Sequence, residues 1–354
     1  MRKWILGIII LLYVFSWVSA AEINIISREE WWANKHYNAI ESHYWKNILR
    51  EREQKQKSHS LSEEEKKKKW EKQKKINTYL NNNFSEYFSL SETKRFDPDT
   101  WVKLAWPYKY SNFVDSIIIH HTSGEYKSNK QWLEKIHKFH SLSREWGDIW
   151  YNYIIWYDGE IYEGRAWWDY SVGAHSKYNN IGSVWIAIIG NYEEKDINPK
   201  QYASLKNLIV YLTKKYGIDL NKKRYYHMKC SKAACDTFPI ETYLDNRLVW
   251  HRDTGHTSCP WEKLYAQIQE IRRDLAPQTK WYEIIKRWEE KINNRYWKYS
   301  SSDIQKILKV LQNYTVEEKE KILGLIDLKI SDNSESEKYK NKLKIIKLAV
   351  LLSQ

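Results

Sequence analysis

The sequence predicts an α/β domain built on a central mixed β-sheet flanked by helices, and three observations carry that expectation. Residues 148–164 (D-I-W-Y-N-Y-I-I-W-Y-D-G-E-I-Y-E-G) alternate around Asp158-Gly159, a strong hairpin signal. Residues 182–190 (G-S-V-W-I-A-I-I-G) form a continuous apolar run, as expected of a strand buried on both faces. Two stretches at helical spacing, 129–142 and 200–216, lie between and after these strands. Strands interleaved with helices give layers of helix on sheet.

Taken in order, the chain opens on Met1-Arg2-Lys3, an apolar run over 4–18, and Val18-Ser19-Ala20 before Ala21. That is the layout of a secretory signal peptide over 1–20; the competing reading is an uncleaved membrane anchor, for which the run is short. Residues 21–35 read as a short extended piece and a turn that start the domain. From 36 to 108 the composition shifts to charge (R-E-R-E-Q-K-Q-K, then E-E-E-K-K-K-K-W-E-K-Q-K-K), which predicts a helical insertion, either solvated or lying as a basic arm on an anionic surface. Pro98 and Pro107 mark the return to compact structure, and 114–120 is strand-like in its β-branched content. Trp132, Leu133, Ile136, Phe139 and Leu142 trace the apolar face of the helix expected over 129–142, which leaves His137 and His140 at its surface or at the core edge. The core is expected to end near 276. Residues 277–354 then read as a Lys/Glu-rich helical module with apolar stripes at Ile304, Ile307, Leu308, Leu311, Leu343, Ile346 and Val350.

The 58 Lys+Arg against 45 Asp+Glu give a net charge of +13, which favours an anionic partner: nucleic acid, anionic lipid or cell-wall polymer. Export narrows that choice. It also bears on the three cysteines, since Cys230 and Cys235 in K-C-S-K-A-A-C-D could close a small disulfide loop in an oxidising compartment or stay as two free thiols. Cys259 is left over. It follows His251 in V-W-H-R-D-T-G-H-T-S-C-P-W, and upstream the run S-I-I-I-H-H-T-S-G ends in His120-His121. Two His and one Cys could hold Zn²⁺ with a fourth position for water, the arrangement of a catalytic rather than a structural zinc site.

In order and spacing, I-S-R-E-E-W-W-A, I-I-I-H-H-T-S-G, D-I-W-Y-N-Y-I-I, Y-E-G-R, V-G-A-H, S-V-W-I-A-I-I-G-N and H-R-D-T-G-H-T-S-C-P resemble one family. It is the zinc-dependent N-acetylmuramoyl-L-alanine amidases of the peptidoglycan-recognition-protein type, which includes the phage amidase-type lysozymes. The resemblance spans roughly 27–276, interrupted by the charged insertion, and implies the amidase type 2 fold with 109–276 as its zinc amidase core. Carried over by position, the zinc ligands fall on His120, His251 and Cys259 and the catalytic tyrosine on Tyr151. Thr257 stands where phage members have lysine and other members threonine, and His121, Thr122 and His175 are candidates to line the cleft, with a structural histidine bonded to backbone the equal alternative for His121 and His175. The family's cytoplasmic relatives carry a glutamate as general base where this chain has Ala187, so the obvious strong base is missing. The implied reaction is hydrolysis of the amide between N-acetylmuramic acid and L-alanine by an exported zinc enzyme. The implied partner is peptidoglycan, with no nucleic acid, with membrane contact only if the leader stays uncleaved, and with the chain a monomer. The alternative is a non-catalytic peptidoglycan-binding protein on the same fold; such members typically lose a zinc ligand, and this chain keeps all three.

The tryptophans do not fit. The chain has 20 Trp and only 11 Gly in 354 residues, against an average glycine usage of ~7%. Trp32, Trp150, Trp156, Trp185, Trp250, Trp261 and one of Trp167 and Trp168 stand where this family ordinarily has glycine. Glycine serves such places because the backbone passes close to a neighbour or takes φ > 0, and overpacking each with an indole costs about 1–3 kcal/mol or more. The expectation is that many of these are UGA codons that the cell reads as glycine. A Trp-rich surface for stacking on sugars is the alternative, suited to exposed sites such as Trp70 or Trp288.

Overall fold

The computed structural model describes residues 23–31, 33–58, 62–97, 101–124, 129–165, 170–174, 176–229, 240–293 and 313–331, together with 347 and 350. The expected leader, Cys230 and Cys235, His175, Trp32, Trp167, Trp168 and the stripes at 304–311 and 343–346 lie outside these residues. By contact density the chain forms two units, 1–279 and 280–354.

The first unit is built on a six-stranded sheet, formed by β1 (Ile25–Ile26), β4 (Ser116–His121), β5 (Tyr153–Ile155), β6 (Ile161–Glu163), β7 (Ser183–Ile188) and β10 (Leu248–Trp250). Their spatial order is β1-β6-β5-β7-β4-β10. The β5–β6 pair is the antiparallel hairpin expected around Asp158-Gly159, and the remaining pairs are parallel, so the sheet is mixed. β7 sits between β5 and β4 with every residue buried, which is why its sequence is apolar without alternation.

Helices cover both faces. On one, α4 (Pro199–Tyr216) and the first half of α5 (Glu262–Asn293) bury Leu205, Leu208, Ile209, Leu212, Leu264, Ile268 and Ile271 against Ile117, Ile119, Ile186 and Ile188. On the other, α3 (Asn129–Lys138) lays Leu133 and Ile136 over Ile154, Tyr162 and Ala187. α4 has clear boundary signals. Asn198 Oδ1 accepts from Gln201 N at 3.0 Å, Pro199 takes the first turn, and Gly217 ends the helix in the left-handed region at φ 64°.

α3 departs from its expected face. Its last turn, Phe139–Ser143, is π-helical, and the extra residue in that turn rotates everything after it. Phe139, expected in the apolar stripe, is 46% exposed, whereas His140 is buried. His137 is fully buried as well, so neither histidine is at the helix surface.

The segment 36–108 contains two helices, α1 (His43–Ser58) and α2 (Glu63–Phe84), and is not helical throughout. It continues into a β-hairpin of β2 (Leu90–Phe96) and β3 (Lys103–Ser111). α2 starts on a reciprocal cap between Ser62 and Glu65 and buries only Ile76 and Leu80. These two pack with Ile240 of β9 (Ile240–Asn246), which pairs antiparallel with β8 (Lys223–Lys229). Thus α2 docks one apolar edge on the β8–β9 hairpin while its charged faces stay solvated. In the second unit, α6 (Val316–Ser331) is capped by Thr315 and Glu318 and buries Ile322 and Ile326. No helix of the described residues is long and apolar enough to cross a membrane.

Replacing the α4 cap tests this account of how the helix starts. Asn198→Ala should cost about 1 kcal/mol, the usual value of such a cap, measured by urea denaturation; an unchanged midpoint would contradict it.

Candidate metal centre

The sheet register assembles the site. β10 runs parallel to β4 with Trp250 opposite Ile119, so the next residue on each strand, His251 and His120, leaves the sheet at neighbouring carboxyl ends. Open α/β sheets place ligands at such ends. The two imidazole centroids are 4.1 Å apart. After His251 the chain makes one 3₁₀ turn, His251–Asp253, and folds back so that Arg252 N donates to Cys259 O at 2.9 Å. This brings Cys259 Sγ to 3.8 Å from His120 Nδ1, and the ligand atoms of His120, His251 and Cys259 all lie within 4.8 Å of one another. Around a tetrahedral Zn²⁺, bond lengths of ~2.0–2.1 Å to N and ~2.3 Å to S place the two atoms about 3.6 Å apart. The trio therefore needs little movement to close on such an ion.

The protonation states fit the same ion. Burial pushes His120 well below the usual histidine range, helped by the nearby His251, His121 and His140, so the ring is the neutral imidazole that ligates metals. Burial pushes the Cys259 thiol up to about 12. A thiol so placed ionises only beside a cation, and a coordinated thiol is deprotonated outright.

The loop carrying His251 is held from several sides. Asp253 accepts from Trp250 N at 2.9 Å and from the Tyr265 hydroxyl at 3.3 Å. Thr254 N and its hydroxyl both donate to His251 O, and Thr254 O accepts from the Ser176 hydroxyl at 2.7 Å. Asn179 adds a further donor to Thr254 O and joins the turn to His227 of β8. Thr257 is exposed, and its hydroxyl accepts from Cys259 N at 3.2 Å. Its other contact is a backbone bond to Gly255 O.

Tyr151 flanks the trio, its ring 5.4 Å from that of His120. The segment that carries it is pinned on both sides. Behind it, Asn152 exchanges hydrogen bonds with Trp185 of β7 and donates to Ser171 O. In front of it, the fully buried Asp148 gathers Arg28 at 3.0 Å, His137 Nε2 at 3.1 Å and the Tyr108 hydroxyl at 2.8 Å. Asn38 closes the ring: it donates to Tyr108 at 2.6 Å, and its Oδ1 lies 2.9 Å from His137 Nε2. Asn38 and Tyr108 are the two ends of the charged insertion, which therefore meets the core at the base of the Tyr151 segment. These neighbours, Arg28 foremost among the attractive ones, hold the Asp148 carboxyl well below the carboxylate range despite its burial. His140 also lies beneath Tyr151, with centroids 5.4 Å apart, and burial drives it down to about 3.

Of the other expected residues, His121 ends β4 buried, its Nε2 3.1 Å from the Ser123 hydroxyl, and burial pushes it down to about 4. Thr122 accepts from Gly190 N at 3.2 Å. Ala187 is opposite His120 on the neighbouring strand and fully buried, so no proton carrier stands at that position. Sequence reading missed Asp148, His140 and Asp253; the D-I-W-Y motif contained the first, and the H-R-D motif the last.

A family model described as N-acetylmuramoyl-L-alanine amidase matches residues 110–262. Peptidoglycan-recognition protein SC2 of Drosophila melanogaster is 30% identical over 163 residues, which covers 45% of this chain and 74% of the relative. Peptidoglycan recognition protein 4 of Mus musculus is 35% identical over 149 residues, covering 38% of this chain and 39% of it. Among solved structures, N-acetylmuramoyl-L-alanine amidase LysC from Clostridium intestinale URNW aligns at 29% identity and a TM-score of 0.37, over 48% of this chain and 91% of that one.

The Asp148 cluster makes two checkable statements. Asp148→Asn should lower stability by about 3–5 kcal/mol, because it leaves the part-buried Arg28 without its counter-charge and removes one of the two oxygens that Arg28, His137 and Tyr108 share. Because the carboxylate's pKa is depressed on folding, its contribution is present above about pH 4 and fades as pH falls. Denaturation at pH 7 and pH 3 should therefore differ less for the variant than for the parent, and an equal pH dependence would contradict the cluster's charged state.

Proposed function

The chain belongs to the N-acetylmuramoyl-L-alanine amidase family that includes the peptidoglycan-recognition proteins, and from that premise we propose that it is an exported zinc amidase of peptidoglycan. The substrate bond is the amide between N-acetylmuramic acid and the L-alanine of the stem peptide. The observation that carries the reading is the intact trio: three ligand atoms within 4.8 Å of one another at the carboxyl ends of adjacent strands. A surface that only bound peptidoglycan would have no use for a buried thiol and two imidazoles so arranged.

Zinc held by His120, His251 and Cys259 would supply a Lewis acid that polarises the scissile carbonyl and makes water acidic near neutral pH. The protein's own groups do the rest. Tyr151, held between Asp148 and Asn152, offers its hydroxyl as a hydrogen-bond donor to the carbonyl oxygen as charge develops there. Thr257, whose oxygen accepts from Cys259 N, keeps its own proton for the substrate. His121 and Thr122, at and beyond the end of β4, stand on the approach to the trio. With alanine at 187, no carboxylate base acts from that position. Residues 277–354 are assigned no chemical step.

Purified protein incubated with polymeric peptidoglycan should free stem peptides from muramic acid, with chelation abolishing release and added zinc restoring it. Cys259→Ser should reduce the rate by at least ~100-fold, and Tyr151→Phe should lower kcat by about 10²–10³ with little change in KM, the usual loss for one oxyanion donor. Peptidoglycan binding without any release would overturn the enzyme and leave the recognition protein.

A further inference from the structure

Several tryptophans occupy places where the backbone and its neighbours accept no side chain of that size. The ring centroids of Trp146 and Trp150 are 2.5 Å apart at an interplanar angle of 22°, whereas aromatic pairs pack with centroids about 4.5–7 Å apart. Both indoles cannot occupy that space. Trp150 is the one at a position the family motif gives to glycine. Trp261, two residues beyond Cys259, has φ 74°, and Trp101 has φ 55°. Among the described residues five non-glycine residues have φ in this region, and these two are among them; for a bulky residue the conformation is a true outlier, while glycine enters it freely. Trp101 belongs to the insertion and to no family motif, so its geometry points the same way independently. Trp250 is 1% exposed and its indole N–H is buried with no hydrogen-bond partner among the described residues. By contrast, the equally buried Trp31 and Trp45 donate to Glu163 O at 2.9 Å and to Tyr37 O at 2.7 Å.

We infer that residues 101, 150, 250 and 261 are glycine in the protein as its own cell makes it. One cause covers all four: a UGA codon that the cell decodes as glycine and that the printed sequence renders as tryptophan. Trp156 and Trp185 stand at motif positions of the same kind, but the buried Trp185 gives its indole N–H to Ser183 Oγ at 2.7 Å, so glycine is assigned only at those four. The consequence falls on the metal centre. Trp150 adjoins Tyr151 and its ring stacks on that of His140 with centroids 5.4 Å apart, and Trp250 and Trp261 flank His251 and Cys259 in the sequence. An indole buries about 150–250 Å² of surface, so glycine at 150 removes a large ring beside His140 and Tyr151, and glycine at 250 removes one from the helix-covered face of the sheet.

Two readouts test this, and neither depends on amide cleavage, so the result stands apart from that of the amidase assay. Peptide mass spectrometry of protein purified from its native cells should find glycine at 101, 150, 250 and 261. Each of these peptides would be about 129 Da lighter than printed, since glycine carries no side chain, while Trp31 would read as tryptophan. Tryptophan at 150 and 250 would overturn the inference. Recombinant full-length protein carrying Trp150→Gly, Trp250→Gly and Trp261→Gly should melt at least ~10 °C above the printed sequence, given the few degrees that each relieved site contributes in a domain this size. An equal or lower midpoint would overturn the packing argument.

Discussion

The parallel pairing of β10 with β4 is the interaction on which the site depends. With Leu248, Val249 and Trp250 opposite Ile117, Ile118 and Ile119, His251 and His120 must emerge side by side. A slip of one residue would send one of them to the opposite face of the sheet. The apolar face of β4 secures that register, since Ile117 and Ile119 are buried under α4 and α5 while Ile118 packs with Trp185, Tyr226 and Val249 on the other side. The single backbone bond from Arg252 N to Cys259 O then converts a spacing of eight residues into a contact. The hydrophobic core thus sets the geometry of the two histidines, and one loop closure sets the cysteine.

Burial gives that geometry its chemical meaning. The His120 imidazole and the Cys259 thiol, taken from water, resist carrying charge, and burial alone leaves both neutral. A divalent cation reverses this for the thiol, since metal affinity rests on deprotonated ligands and releases their protons. The same reasoning applies to Asp148, where burial is opposed by Arg28, His137 and Tyr108 acting together. The first cluster offers donors that favour a cation, and the second is balanced within the chain. The first suits a metal site, and the second suits a support for Tyr151.

Much of this was legible in the sequence because it is local. The Asp158-Gly159 turn, the apolar run of β7 and the cap of α4 each signal themselves within a few residues, and the two halves of the ligand set stand in recognisable motifs. What was hidden depends on distant partners or on a change of helical period. The π-turn at Phe139–Ser143 cannot be read from apolar spacing, because it alters the very period on which that reading relies; at its start Phe139 is exposed and His140 buried. The Asp148 cluster joins Arg28, Asn38, Tyr108 and His137, which no local pattern connects. The hairpin β2–β3 was obscured by the dense charge before it. The tryptophans ran the other way: local expectation and family pattern both rejected them, and Trp150 and Trp261 carry that conflict into the geometry.

If His120, His251 and Cys259 together hold one metal ion, the purified full-length protein carries zinc that elemental analysis detects alongside Cys259→Ala and His251→Ala. The parent should hold one zinc per chain and either variant less than a tenth of that, with all three proteins folded by circular dichroism. A folded parent without zinc after reconstitution, or a variant that retains a full equivalent, would contradict it.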